Sequence, residues 1–125
     1  MKGYSEFLTD GILNSSIIQK QKTNDYKMNP VSVVIKPSSM KTKKKMAIFM
    51  MSDGTRQTVH FGQAGASDFT KNKDPKRKEN YLERHRAREN WNDPLTAGAL
   101  SRWVLWNMPT LKASIADFKK RFNLK

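Results

Sequence analysis

Cysteine is absent from the 125-residue chain, which removes disulfides, thiolate metal sites and thiol catalysis together. Acid is scarce: 11 Asp+Glu stand against 24 Lys+Arg, a formal charge of +13. Such an excess opposes self-compaction and favours an anionic or acidic partner. Long apolar runs are missing too; none approaches the roughly 18 residues of a membrane span. The N-terminus lacks the basic-then-apolar layout of a secretory signal, so the chain reads as soluble and intracellular. Only 37% of the residues are hydrophobic, enough for a small core and little more. There is no internal repeat, no P-loop and no dinucleotide-type glycine pattern.

The positive charge is clustered. Lys36 to Lys45 holds five lysines and no acid, and Lys71 to Asn90 holds eight basic and four acidic residues. Lys112 to Lys125 adds five basic residues and Asp117. Clustered base is the footprint of phosphate binding, of docking on an acidic protein, or of a merely solvated face.

Residues 1–30 read as an extended N-terminal arm, and 31–125 as one small α+β domain. In the arm, Phe7, Leu8, Ile12 and Leu13 have helical spacing and are followed by Ile17 and Ile18. Large apolar residues with so little around them suggest docking on another chain, or packing on the arm's own domain. Three antiparallel strands follow. Val31, Val33 and Ile35 alternate with Ser32 and Val34. Met46 to Met51 is continuously apolar, the pattern of a strand covered on both faces. Asp53-Gly54 marks a tight hairpin turn, and the return strand sets Gln57, Val59 and Phe61 opposite Arg56, Thr58 and His60.

Three helices complete the expected domain. Asp74-Pro75 is a strong start signal for a helix running to about Asn90, with Lys73, Arg77, Tyr81, Arg84 and Arg88 on one face. A second, apolar on nearly all sides, spans roughly Thr96 to Asn107 and carries Trp103 and Trp106. Pro109 ends it. Thr110 caps a third, on which Leu111, Ile115, Phe118 and Phe122 form an apolar stripe backed by Lys112, Lys119, Lys120 and Arg121.

Candidate chemistry follows from these placements. Arginines one or two turns apart can track phosphates, and an aromatic among them can stack on a base. The residues expected to meet an anionic partner or phosphate are Lys43, Lys44, Lys45, Lys73, Arg77, Tyr81, Arg84, Arg88, Lys119 and Lys120. Glu79, Glu83 and Glu89 on the same helix compete for its arginines. Gly62-Gln63-Ala64-Gly65 reads as an ordinary strand-to-helix connection, with a phosphate wrap as the lesser alternative. A divalent-metal nuclease would require His60 and His85 to join Asp68 and Asp74, and their spacing matches no ligand pattern. No catalytic residue, resident metal or cofactor is expected.

From His60 onward the order of residues resembles a known group. His60-Phe61-Gly62, Ser67-Asp68-Phe69-Thr70, Lys73-Asp74, Arg77-Lys78, Tyr81, Arg84-His85, Trp91, Thr96-Ala97-Gly98, Leu100-Ser101-Arg102-Trp103, Leu105-Trp106 and Arg121-Phe122 carry the likeness. The group comprises small uncharacterised basic proteins of nucleocytoplasmic large DNA viruses, mimivirus-like and phycodnavirus-like. The resemblance spans about half the chain and implies a context, not an activity. It points to a non-enzymatic virion protein, such as a minor capsid or internal component. Its partners would be other capsid proteins or packaged nucleic acid. Its location would be the virion, and the host cytoplasm or nucleus during assembly.

Overall fold

The computed structural model describes residues 29–125. The arm residues Phe7, Leu8, Ile12, Leu13, Ile17 and Ile18 lie outside the described residues. Three strands, β1 (Pro30–Pro37), β2 (Lys43–Met51) and β3 (Arg56–Gln63), form an antiparallel meander in the order β1-β2-β3. Four helices follow: α1 (Phe69–Asn72), α2 (Pro75–His85), α3 (Ala97–Leu100) and α4 (Leu111–Arg121). A π-helical turn over Ser101–Leu105 extends α3. The fold is α+β, as the sequence pattern predicts, with α1 as a short element the pattern does not announce.

The sheet follows its alternation. Val33 pairs with Phe49 and Ile35 with Ala47 across β1 and β2, and Lys45 pairs with Phe61 across β2 and β3. Side chains of one parity therefore share a face. Val33, Ala47, Phe49, Met51 and Phe61 are buried on it. A bulge between Pro30 and Ser32 breaks the register of β1 and turns Val31 outward, against the simple alternation. The continuous apolar run of β2 suggests two covered faces, but only one is closed. Met46, Ile48 and Met50 are half-buried, and Val34 beside them is 59% exposed. The expected hairpin turn is present, with Asp53 Oδ1 accepting hydrogen bonds from the Thr55 amide at 3.0 Å and hydroxyl at 2.6 Å.

The helices close the inner face. Leu100, Val104, Leu105, Phe118 and Leu124 complete the buried core, and Phe118 meets Phe49 edge-on at 6.5 Å between ring centroids. The stripe predicted on α4 packs as expected, with Phe118 buried and Leu111, Ile115 and Phe122 around it. Thr110 caps α4 through the Ala113 amide at 3.1 Å. Asn123, at φ 55°, reverses the chain after α4, and the Leu124 amide donates to the Lys119 carbonyl at 2.7 Å. Lys125 then exchanges backbone hydrogen bonds with Val31 and Val33, both 3.0 Å, along the outer side of β1.

Helix α2 starts where Asp74-Pro75 predicts, with Asp74 Oδ1 accepting from the Lys76 amide at 3.0 Å. It ends at His85, short of the expected Asn90. The chain tightens there into an i→i+3 turn, the Arg88 amide donating to the His85 carbonyl at 3.1 Å. Beyond that turn the Glu89 carboxylate is held from two directions, by His85 Nδ1 at 2.9 Å and the Trp91 indole N–H at 2.8 Å. The loop after α3 is fastened to α2 and the segment before it by lysines. Lys73 Nζ donates to the Pro109 carbonyl at 2.8 Å, and Lys78 Nζ to the Asn107 carbonyl at 2.7 Å.

Candidate functional site

On α2, Arg77, Tyr81 and Arg84 fall at i, i+4 and i+7 and so share a face. That face looks across a cleft to the start of β2 and the end of β3. The cleft encloses about 550 Å³ between Lys43, Lys44, Gly62 and Gln63 on one side and Arg77, Asn80, Tyr81, Arg84 and His85 on the other. Gly98, Ser101, Leu105 and Trp106 of the α3 segment line it as well, as do the carboxylate residues Asp68 and Glu89.

Close approach explains two of its glycines. A Cβ on Gly62 would stand 2.8 Å from Leu105 Cδ1, and the residue's φ of +79° adds strain for any side chain. A Cβ on Gly98 would stand 2.9 Å from the Glu89 carboxyl carbon. Gly98 therefore leaves room for the carboxylate that holds His85 and Trp91.

Tyr81 is not available as an exposed stacking ring. It is 7% exposed, packed between Trp106 at 4.5 Å and 7° and His85 at 4.2 Å and 24°. Burial, assisted by the nearby Glu89 carboxylate, pushes its phenol well above the ordinary value, so the hydroxyl stays neutral near pH 7. Two rings of this stack reach the cleft with partial exposure, Trp106 and His85, the latter with its side chain 30% accessible. The sequence pattern marks the tyrosine; the inward turn of its ring depends on Trp106, far along the chain.

The charges divide into paired and unpaired. Lys44 Nζ meets the buried carboxylate of Asp68 at 2.5 Å. Asp68 also caps α1, accepting from the Thr70 amide at 2.9 Å and from the Thr70 hydroxyl. Burial by itself would raise the Asp68 carboxyl, but the hydrogen bonds from Lys44 and Thr70 and the Lys44 charge outweigh it and hold the group below the ordinary carboxylate value. By contrast, among the described residues the side chains of Lys43, Arg77 and Arg84 have no ion pair or hydrogen bond. The cleft thus keeps an uncompensated positive rim over a neutralised floor.

A second cavity of about 440 Å³ lies beyond the Lys44–Asp68 pair and shares both residues and Leu105 with the first. Lys45, Gly65, Thr70 and Lys71 line it.

Of the ten expected contact residues, Lys43, Lys44, Arg77, Tyr81 and Arg84 line the first cavity and Lys45 lines the second. Lys73 is turned to the Thr70 and Pro109 carbonyls, a structural task. Arg88 donates to the Arg84 carbonyl at 3.2 Å and lines neither cavity. Lys119 and Lys120 lie on α4 and line neither. Gly98 and Glu89 complete the site without a signal in the sequence, because their roles exist only once α2 and α3 have met.

The four residues of the nuclease reading are engaged separately. His60 Nδ1 is 2.7 Å from Ser38 Oγ, Asp68 and Asp74 cap helices, and His85 faces Glu89. No group of three or more His, Asp or Glu able to share one ion occurs among the described residues. The Ser38 hydroxyl beside His60 also accepts from the Met40 amide at 2.9 Å, the pattern of a turn stabilised by a serine, and neither cavity reaches it. No helix among the described residues is long and apolar enough to cross a membrane.

Away from the cleft, the tryptophans hold arginines. The Arg102 guanidinium lies 4.1 Å from the Trp103 ring centroid and 5.4 Å from that of Trp91, and Arg121 lies 3.8 Å from Trp103. Burial, and then Arg121, lowers the Arg102 pKa.

The chain is similar to DUF5754, a family of unknown function, whose model matches residues 33–85. That stretch runs from the middle of β1 to the end of α2 and contains the two basic walls of the cleft. No curated protein and no solved structure matches the chain.

Proposed function

We propose that this is a non-enzymatic binding protein whose cleft between sheet and α2 receives the phosphates of a polyanionic partner. One observation carries the reading: Lys43, Arg77 and Arg84 surround a concave site and have no ion pair among the described residues. Unpaired cations on opposite walls of a cleft concentrate field in the space between them and attract anions more strongly than the same charges spread on a convex face. Binding of labelled DNA should weaken steeply with salt, and the combined Arg77→Gln and Arg84→Gln substitutions should flatten the log–log salt slope by about 1.8 for a duplex. Absence of any gel shift at low salt would eliminate the proposal.

A second reading is favoured by the open side of the sheet, where Val34 is 59% exposed beside half-buried Met46, Ile48 and Met50. Such a face suits a protein neighbour, in keeping with a structural component of a virion. The viral context itself rests on the sequence resemblance. Mass spectrometry of purified particles should find the protein in many copies, and its absence would remove this reading.

A further inference from the structure

We infer that the polyanion is single-stranded nucleic acid, an unpaired base entering the cleft against the His85–Tyr81–Trp106 stack while Arg77, Arg84 and Lys43 hold its phosphates. The inference rests on the phosphate-binding reading above and narrows it. Three features favour an unpaired strand over a duplex or an acidic peptide.

The cations line a concavity of about 550 Å³, a size that suits a small organic ligand and that a base can enter only when it is free of its complement. A convex helix laid into a major groove would present its arginines outward instead. The cavity also holds ring surface. His85 has one face against Tyr81 at 4.2 Å and remains 30% accessible, so the stack can be extended by a flat aromatic group, which an acidic peptide backbone does not supply.

Finally, the site is elongated. Arg77 and Arg84 are seven residues apart on α2 and so about 10 Å apart along its axis, more than one phosphate spans. The second cavity adjoins the first across the shared Lys44, Asp68 and Leu105 and has Lys45 and Lys71 on its walls. A chain of phosphates uses that length; an isolated nucleotide does not.

The test uses the full-length protein, a fluorescently labelled single-stranded 12-mer, a blunt duplex of equal length and an unlabelled mononucleotide as competitor, read by anisotropy. The single strand should bind at least tenfold tighter than the duplex and should not be displaced by the mononucleotide at comparable concentrations. With about five phosphates neutralised, its affinity should fall roughly a hundredfold between 50 and 200 mM salt.

Arg84→Gln should flatten the log–log slope by about 0.7. His85→Ala should weaken single-strand binding about five- to a hundredfold with the slope unchanged. His85→Tyr, which keeps a ring and guards against a folding defect in the alanine variant, should retain binding. Equal or tighter duplex binding, or loss of nothing on His85→Ala in a folded protein, overturns the single-strand inference while leaving the phosphate cleft standing. Failure of all polyanions to bind at low salt removes both.

Discussion

Removing one partner of the Lys44–Asp68 pair is the sharpest perturbation of the cleft floor. The two side chains are 10% and 2% exposed, so neither charge is well solvated, and each depends on the other. Asp68→Ala strands the Lys44 ammonium and costs about 3–5 kcal/mol. It also removes the cap of α1, for about 1 kcal/mol more. Asp68→Asn retains an acceptor for the Thr70 amide but offers Lys44 no charge, and is expected to cost about 2–3 kcal/mol.

Lys44→Met should cost a similar amount, because the buried carboxylate keeps its Thr70 hydrogen bonds and loses its cation. Combining Lys44→Met with Asp68→Asn should cost less than the two single changes together, by about 1.5 kcal/mol or more. Urea unfolding reads these values. At an m-value of about 1.5 kcal/mol/M, a loss of 3 kcal/mol lowers the midpoint by about 2 M.

The pH dependence has a defined sign. The folded Asp68 pKa lies below the ordinary 3.8, so its contribution is fully present above that value and disappears as pH falls through the folded pKa. The Asp68→Asn variant should lack this component and titrate more gently below pH 4. Single changes that cost under 1 kcal/mol and add without coupling would show a solvated, weak pair and refute the reasoning.

Two glycines give further expectations. Gly98→Ala would ordinarily gain up to about 1 kcal/mol of helix propensity; here it should lose stability, because the new methyl meets the Glu89 carboxyl carbon at 2.9 Å. A thermal melt showing a gain would mean that Glu89 moves aside freely. Gly62→Ala combines a left-handed φ of +79° with a 2.8 Å approach to Leu105 and should cost about 2–4 kcal/mol. A urea midpoint within error of wild type would contradict that close packing.

The sheet is readable in the sequence because its signals are local. Apolar alternation defines β1 and β3, Asp53-Gly54 defines the turn between β2 and β3, and Asp74-Pro75 and Thr110 announce helices by their own hydrogen-bonding chemistry. The apolar spacing of α4 needs no partner to be seen. The cleft is only half readable. Arg77 and Arg84 can be placed on one face by counting, and Lys43 by its position at the start of β2.

That Tyr81 turns inward, that Lys73 and Lys78 bind carbonyls of the loop after α3, and that Gly98 admits Glu89 all depend on contacts between distant segments. Periodicity carries no information about those contacts. The bulge at the start of β1 belongs to the same class, lying where Lys125 hydrogen-bonds Val31 and Val33. The early end of α2 is a local turn, the Arg88 amide on the His85 carbonyl, which apolar spacing does not announce.

The wide turn over Ser101–Leu105, where the Trp106 amide reaches back to the Ser101 carbonyl at 3.0 Å, fixes the bearing of everything that follows it. Had the segment kept α-helical spacing, with one residue fewer before the indole, Trp106 would point about 100° elsewhere. The ring sandwich on α2 would then lose one slice. An apparently small irregularity of winding thus acts as the angular setting that aligns one wall of the groove with the other.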